Sequence, residues 1–278
     1  MKAIYDKISV ETSKSITKNY STSFSLGIRF LAKRFQEPIY NVYGFVRVAD
    51  EIVDTFHDAP QKEMLEEFRK ETDLAIERKI STNPVLQSFQ KVVNEYYIDR
   101  DLITTFLDSM EMDLSKIEYD KDQYEKYILG SAEVVGLMCL RVFVDKDKAL
   151  YEKLKPSAMK LGSAFQKINF LRDLKDDYQN LGRMYFPGVE MGEFNDKVKA
   201  VLEKEIAADF HAGYLGIKQL PKSSRFGVYV AYIYYSKLLK SISKKGAETL
   251  LHERVSIPNY KKYGLFVTSY VKHKLNAI

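Results

Sequence analysis

The chain has 278 residues, 45% of them hydrophobic, and a formal net charge of +5, so it is long enough for one large domain with a substantial core. The mild charge, with no dense Lys/Arg tract and no nucleic-acid motif, excludes a typical nucleic-acid-binding protein. One cysteine, Cys139, and four scattered histidines exclude an internal disulfide, a zinc site and a Ser/His/Asp arrangement, and the apolar run around Cys139 predicts a buried, inert thiol.

Only 13 Gly and 7 Pro interrupt the chain, and the spacing of its apolar residues predicts helices nearly throughout. The predicted helices, in chain order, cover residues 36–57, 61–79, 84–97, 99–114, 121–145, 148–180 (as one or two helices), 195–218 and 224–245, with a final helix after a break at 256–259. Pro38 is expected in the first turn of the first of these, and Asn83-Pro84 begins the third. Residues 183–197 are predicted to form a loop. Since no repeat or linker is visible, one all-α domain covering 1–278 is expected.

The N-terminal segment lacks the apolar core of a signal peptide. The sequence also contains no run of about 20 apolar residues, which a transmembrane helix requires. The expected location is therefore the cytoplasm.

A narrow polar stripe runs along the first predicted helix. Tyr43, Arg47, Asp50 and Asp54 have offsets of 0, 4, 7 and 11. At about 100° per residue these positions fall within roughly 60° of one another. The stripe ends in two carboxylates four residues apart.

A second stripe of the same form lies in the segment FLRDLKDDYQNLGRMYFP and just before it. Gln166, Asn169, Asp173 and Asp177 have offsets of 0, 3, 7 and 11. This stripe also ends in two carboxylates four residues apart, and Asp176 lies one residue off it.

Apolar residues enclose both stripes, including Phe45 and Ile52 on one helix and Ile168 and Leu171 on the other. A solvated face would be broad and mixed in charge, as at residues 61–79. A helix that is apolar nearly all round is buried, and a buried carboxylate pair is costly unless it is paired or binds metal. The two stripes together favour a functional site over a solvated face.

Carboxylates alone suit hard divalent cations, and Mg²⁺ typically takes one or two of them with substrate phosphates and water. Ions held by two acidic helices would bind a diphosphate, which carboxylates cannot bind directly, and would make it a good leaving group. The allylic carbocation left behind needs a dry, apolar cavity, which a Tyr-rich helical bundle supplies. The pattern indicates metal-assisted isoprenoid diphosphate chemistry.

Three segments carry a resemblance to a known family: YSTSF near the N-terminus, YGFVRVADEIVD, and GSAFQKINFLRDLKDDYQNLGRMYFP. Over essentially its whole length the chain resembles the squalene/phytoene synthases, the head-to-head prenyl transferases, and within them the bacterial phytoene synthases of carotenoid pathways. The departures are Glu51, where many members have Asp, and Asp176, where many have Glu, and both keep the charge. The resemblance implies an isoprenoid-synthase-type helical bundle around a central cavity.

The resemblance also implies roles for residues at matching positions. The implied ligands of Mg²⁺, or alternatively Mn²⁺, are Asp50, Asp54, Asp173 and Asp177. The implied diphosphate contacts are Arg47, Arg172 and Arg183, because a guanidinium fork suits phosphate oxygens.

Further positions match residues that line the active centre in the family. Ser21 and Ser23 match contacts in the diphosphate region, although a helix cap is the alternative. Tyr127 matches a tyrosine near the leaving diphosphate. Without the resemblance, this residue would be interpreted as part of the apolar core. The implied cavity-lining residues are Tyr43, Gln166, Asn169 and Tyr234.

The implied activity is that of phytoene synthase. Two geranylgeranyl diphosphates condense through a cyclopropylcarbinyl diphosphate, and no NADPH is expected. Squalene or dehydrosqualene synthesis from farnesyl diphosphate is the first alternative, with the choice set by cavity depth near residues such as Phe24, Val134 and Val135.

Two further alternatives are a head-to-tail transferase or terpene cyclase, and a non-catalytic binding or assembly relative. The Gly-Arg-x-Tyr-Phe-Pro ending argues against the first, and retention of all four stripe aspartates argues against the second. The expected partners are prenyl diphosphates and the inner face of a membrane, which the apolar product would contact. Binding of nucleic acid is not expected. A monomer or weak homodimer is expected.

Overall fold

The structure is a computed structural model that describes residues 1–115, 119–177, 184–187, 189 and 193–258. Its regular elements within these ranges are helices: α1 (Lys2–Tyr20), α2 (Thr22–Arg29), α3 (Lys33–Asp54), α4 (Gln61–Arg78), α5 (Pro84–Tyr96), α6 (Arg100–Asp113), α7 (Lys121–Ile128), a π turn (Leu129–Glu133), α8 (Val134–Phe143), α9 (Lys148–Asp176), α10 (Asp196–Gln219), α11 (Lys222–Ile242) and α12 (Ala247–His252). The all-α prediction is confirmed. No helix in the described ranges is both long and apolar enough to cross a bilayer.

Several predicted boundaries agree closely with the observed ones. The Asn83 side chain accepts hydrogen bonds from the backbone N–H groups of Val85 and Leu86 and so caps α5, as the Asn-Pro signal predicts. The segment predicted over 148–180 is one helix, α9. The described residues between Met184 and Asn195 are not helical. The final helix predicted after the break at 256–259 falls on 260–278, outside the described residues.

The prediction for Pro38 is wrong. Helix α3 begins at Lys33, so Pro38 lies in its second turn. The early start is fixed by Ala32, whose N–H donates to the carbonyl of Ser223, and by the fully buried Phe35. A proline is tolerated here because the residue four positions earlier, Arg34, is exposed and its carbonyl can bond to water.

The segment predicted as one helix over 121–145 is interrupted. It comprises α7, the π turn and α8, which follow one another without a break in the chain path. In the π turn the N–H of Val134 donates to the carbonyl of Leu129, five residues earlier. This widening changes which residues face the interior.

Apolar clusters enclose a cavity; two of them are large, and a smaller one contributes Leu140, Leu154 and Leu220 to the wall. One large cluster centres on α3, α5 and α6, where the ring of Phe45 stacks on Phe89 with centroids 3.9 Å apart. The other centres on α9 and α11 and includes the loop residues Tyr185 and Phe186. The cavity lies between them, bounded by α2, α3, the π turn, and α8 to α11.

Candidate active site

A cavity of about 360 Å³ lies between α3 and α9, the two helices that carry the acidic stripes. Its wall is mostly apolar, with residues such as Phe24, Val135 and Phe165. The polar residues of the wall come from both stripes and from neighbouring helices: Ser21, Ser23, Tyr43, Ser131, Ser157, Gln166, Asn169, Arg172, Tyr234 and Tyr235. The cavity is therefore apolar over most of its length and polar where the two stripes begin.

On α3, the first stripe runs from the cavity wall to a group of paired charges. The ring of Tyr43 stacks on Phe24 with centroids 4.7 Å apart. Burial raises the pKa of the Tyr43 phenol, and the nearby Arg47 and Ser21 act in the opposite direction. One turn further on, Arg47 forms ion pairs with both Asp50 and Glu51, and its guanidinium lies 4.3 Å from the ring centroid of Tyr20.

On α9, the second stripe begins with two amide side chains, Gln166 and Asn169, that are hydrogen-bonded to each other. The Asn169 side-chain amide donates to Gln166 Oε1 at 3.3 Å, and the phenol of Tyr235 on α11 donates to Asn169 Oδ1 at 3.2 Å. The ring of Tyr235 stacks on Phe165 with centroids 4.1 Å apart. These contacts fix the orientation of Asn169 toward the cavity.

Further along α9, two arginines hold Asp173. Arg172 Nε donates to both carboxylate oxygens of Asp173, at 2.9 and 3.1 Å. Burial disfavours the charge of Arg172, but the hydrogen bond and charge of Asp173 prevail and raise its pKa. Arg254, from the segment after α12, donates to Asp173 Oδ1 at 2.7 Å. Its Nε is 4.0 Å from the half-exposed Asp176.

Both stripes place carboxylates at a helix C-terminus. Asp54 is the last residue of α3, and Asp177 is the C-cap of α9. In α3, which is described throughout, the last turn carries no basic residue. Negative charge is unfavourable at the negative end of a helix dipole. Helix α9 carries Lys175 in its last turn, so the end of α3 is the one that favours a bound cation more strongly.

The carboxylates do not form a ready-made metal cage. Within the described residues, no three His, Cys, Asp or Glu side chains converge to hold one ion. The donor set therefore fits a hard cation that takes one or two carboxylates and receives its other ligands from phosphate and water, as Mg²⁺ does.

The structure brings together most of the residues selected from the sequence. Ser21, Ser23, Tyr43, Gln166, Asn169, Arg172 and Tyr234 line the cavity, and Arg47, Asp50 and Asp173 lie in the paired charges next to it. Ser21 is also the N-cap of α2, because its hydroxyl accepts from the N–H of Phe24 at 3.2 Å. The helix-cap alternative for Ser21 is therefore confirmed, and its contact with diphosphate stays a prediction.

Tyr127 is not in the cavity wall, and neither are Arg47 and the four stripe aspartates. Tyr127 is buried in the second apolar cluster, where its hydroxyl donates to Asp113 Oδ2 at 2.8 Å and its ring contacts Tyr185. Arg183 lies outside the described residues. Of the three positions expected to set cavity depth, Phe24 and Val135 line the cavity, whereas Val134 is buried in the first apolar cluster.

Sequence reasoning missed three residues of the site. Tyr235 on α11 donates a hydrogen bond to Asn169 of the second stripe. The sequence points only to its neighbour Tyr234, because several tyrosines lie close together in α11 and their spacing does not show which one contacts the stripe. Glu51, which departs from the family pattern, forms an ion pair with Arg47. Arg254 lies in the segment after α12, 81 residues further along the chain than Asp173, so no local sequence pattern connects the two.

Comparisons with known proteins bear on the family and the fold. The sequence profile of the squalene/phytoene synthase family matches residues 17–261. Similar proteins include a 4,4′-diapophytoene synthase of Staphylococcus haemolyticus (25% identical, covering 93% of this chain and 95% of that protein) and a phytoene synthase of Arthrospira platensis (25% identical, covering 91% and 90%). Among solved structures, a dehydrosqualene synthase in complex with ligand matches with a TM-score of 0.83 at 22% identity, covering 97% of this chain and 98% of that one. A squalene synthase from Alicyclobacillus acidocaldarius matches with a TM-score of 0.76 at 19% identity, covering 87% and 95%.

The structural matches establish the all-helical single-domain fold, and the profile match covers most of the chain. The resemblance seen in the three sequence motifs is thereby confirmed. The chain belongs to the squalene/phytoene synthase family, whose members are prenyltransferases that condense prenyl diphosphates head to head.

Proposed function

We propose that this protein is a phytoene synthase, which condenses two geranylgeranyl diphosphates to phytoene and releases diphosphate, with residues 1–278 forming one catalytic domain. The observation that carries the proposal is that the two helices with the acidic stripes, α3 and α9, both line one mostly apolar cavity through the polar residues that precede their carboxylates. Such a cavity suits a substrate with a diphosphate head and a long hydrocarbon tail.

The charged end of the cavity binds the diphosphate in this proposal. Mg²⁺, or alternatively Mn²⁺, bound through Asp50, Asp54, Asp173 and Asp177 supplies Lewis-acid assistance to the leaving diphosphate. Arg47 and Arg172 are paired with carboxylates in this structure. When a cation neutralises those carboxylates, the guanidinium groups become available to phosphate oxygens, for which their geometry is suited. Arg183 and Arg254 are further candidates for the same contact.

The polar wall next to the arginines orients the reacting ends of the two chains. Gln166 and Asn169, held by Tyr235, lie between the acidic end and the apolar part of the cavity. Tyr43 faces the same region from α3, with its phenol neutral because burial raises the pKa. Ser21, Ser23 and Tyr234 complete this wall. The apolar remainder excludes water from the carbocation. In this proposal, Tyr127 contacts the leaving diphosphate after the buried aromatic cluster around it opens toward the diphosphate.

Synthesis of a C30 product from farnesyl diphosphate is the second candidate. It is favoured by the names of the relatives, which include a diapophytoene synthase and a dehydrosqualene synthase alongside phytoene synthases. Cavity depth decides between the two, and Phe24 and Val135 are the lining residues whose size would set it.

The deciding experiment is an incubation of purified protein with Mg²⁺ and either geranylgeranyl or farnesyl diphosphate, without NADPH, followed by mass identification of the extracted hydrocarbon. A C40 polyene from the C20 substrate supports phytoene synthase. A C30 product from the C15 substrate alone supports the second candidate. No product from either substrate, with or without NADPH, would point to a non-catalytic relative.

We also propose that the protein works in the cytoplasm as a monomer or weak homodimer and contacts the inner face of the membrane transiently, because its product is strongly apolar. Co-sedimentation with anionic liposomes tests the contact. Protein that stays in the supernatant at physiological ionic strength would contradict it.

A further inference from the structure

The guanidinium group of Arg47 has three neighbours of different kinds. Its Nη1 pairs with Asp50 and its Nη2 pairs with Glu51, which lie three and four positions further along α3. The ring of Tyr20 lies against it, with the ring centroid 4.3 Å from the central carbon of the guanidinium. One positive charge therefore has two carboxylate partners and one aromatic partner. If a metal ion takes one carboxylate, Arg47 still has the other two contacts.

The two carboxylates differ in their exposure. The side chain of Asp50 is 32% exposed and belongs to the polar stripe that leads to Asp54, whereas the side chain of Glu51 is 11% exposed and lies one residue off that stripe. Removing the partner of a buried charge is strongly destabilising, whereas an exposed charge is compensated by water. Asp50 is therefore the partner that Arg47 can exchange, and Glu51 is the partner that it keeps.

Tyr20 is held at the corner between α1 and α2. It is the last residue of α1 and immediately precedes Ser21, which lines the cavity. The N–H of Ser21 donates to the carbonyl of Thr17 at 2.9 Å, and the carbonyl of Ser21 accepts from the N–H of Ser25 at 3.0 Å. Tyr20 itself is 52% exposed, so its ring adds little to the core. The face of an aromatic ring attracts a cation, and this contact with Arg47 does not depend on the carboxylates.

We propose that Glu51 and Tyr20 are positioning residues that hold Arg47 in place when a metal ion binds Asp50. Arg47 Nη2 stays on Glu51 and the guanidinium stays against the ring of Tyr20, while Nη1 exchanges Asp50 for a diphosphate oxygen. No covalent bond changes, and each charge keeps a partner of opposite sign. This inference rests on the proposed function and adds the two residues that keep Arg47 directed at the anion.

The test measures the dissociation constant of inorganic diphosphate at saturating Mg²⁺ by calorimetry, without any prenyl substrate. Tyr20→Leu removes the ring without changing the charge, and we expect it to raise the dissociation constant roughly threefold. Tyr20→Phe keeps the ring and should bind like the wild type. In an Arg47→Met background, Tyr20→Leu should cause no further rise, because no guanidinium is left to be held.

Glu51→Gln tests the second contact. Coulomb attraction alone predicts that loss of a carboxylate strengthens the binding of an anion. The proposed role of Glu51 predicts the opposite, a dissociation constant raised roughly threefold, because Arg47 Nη2 loses its charged partner. Glu37→Gln is the matched control, because it removes the same charge from an exposed position near the start of α3 and should leave the dissociation constant unchanged.

Four results would overturn the inference: an unchanged dissociation constant in Tyr20→Leu, an equal rise in Tyr20→Phe, a further rise from Tyr20→Leu in the Arg47→Met background, or tighter binding in Glu51→Gln. Wild-type protein that binds no diphosphate would overturn it as well. Urea unfolding at the wild-type midpoint and slope shows that the Tyr20 variants are folded. Because binding is measured without turnover, failure of the wild type to make a hydrocarbon would count against the proposed function alone.

Discussion

Lys167→Met is expected to lower the free energy of unfolding by about 3 kcal/mol. Lys167, on the face of α9 that packs against α10, lies 2.8 Å from Asp209 Oδ2, and each side chain is only 7% exposed. The hydroxyl of Ser163 donates to the same carboxylate oxygen at 3.2 Å. Removing the ammonium leaves a buried carboxylate without its main counter-charge.

The magnitude follows from what remains around Asp209. Breaking a buried ion pair typically costs about 3–5 kcal/mol. Lys160 still lies 3.1 Å from Asp209 Oδ1, but it is 54% exposed and its attraction is weakened by solvent. The residual pairing places the expected loss at the lower end of the range, about 3 kcal/mol.

Lys160→Met is the matched control, because it removes a lysine from the same carboxylate at an exposed position. Its expected cost is below about 1 kcal/mol. The double variant Lys167→Met/Asp209→Leu removes both buried charges and should recover most of the lost stability. Urea unfolding followed by circular dichroism, with equal slopes in all variants, gives the comparison.

The pH dependence provides an independent check. Burial opposes the charge of Lys167, but its hydrogen bonds to Asp209 and Glu205 prevail and raise its pKa in the folded state. A raised lysine pKa contributes stability that is complete below the unfolded pKa of about 10.4 and is lost as pH rises through the folded pKa. The difference in the free energy of unfolding between wild type and Lys167→Met should therefore become smaller as the pH rises above about 10.4. A cost below 1 kcal/mol for Lys167→Met, or a cost equal to that of Lys160→Met, would refute the reasoning.

Three further predictions concern the site. Asp54→Asn and Asp173→Asn should each reduce turnover to near background while the far-UV circular dichroism stays that of the wild type, and wild-type-like rates in both would refute the metal-site assignment. Tyr235→Phe keeps the ring stack but removes the hydrogen bond to Asn169, so kcat/KM should fall roughly fivefold; an unchanged value would show that Asn169 does not need this support. Burial raises the pKa of Cys139 to about 12, so its thiol should resist a disulfide reagent at pH 8 until urea unfolds the protein, and rapid labelling of the native protein would contradict this.

The sequence predicts the long helices with an apolar face and misses α1, whose buried face is polar. Helix α1 buries Ser9, Ser13 and Thr17, which repeat every four residues but are polar. The Ser13 hydroxyl pairs with Ser88 of α5 at 2.7 Å, and Thr17 donates to the carbonyl of Ser13. Apolar periodicity contains no signal for such an interface. Apolar periodicity also gives no signal for the π turn, where Gly130 packs closely against Ser109 of α6.

The site was predictable where its residues share a helix face. The spacing of Gln166, Asn169 and Asp173 is local information, and the structure places the first two in the cavity wall with Asp173 next to it. Contacts between distant segments were not predictable, because a helical pattern gives no direction for a partner on another element. Tyr235 and Arg254 reach the second stripe only through the tertiary fold.

The ion pairs between arginines and aspartates explain how charged side chains are stabilised next to an apolar cavity. Arg47 with Asp50, and Arg172 with Asp173, hold opposite charges together at the end of an apolar cavity. Isolated carboxylates there would be costly to bury, and isolated guanidinium groups would be costly as well. In the proposed reaction, a bound cation would replace arginine as the partner of Asp50 and Asp173, and Arg47 and Arg172 would then be available to diphosphate oxygens. Each of these half-buried charges would keep a partner of opposite sign. It follows that cations and diphosphate should bind cooperatively: each should tighten the binding of the other by the same factor. Independent binding of the two would contradict this exchange.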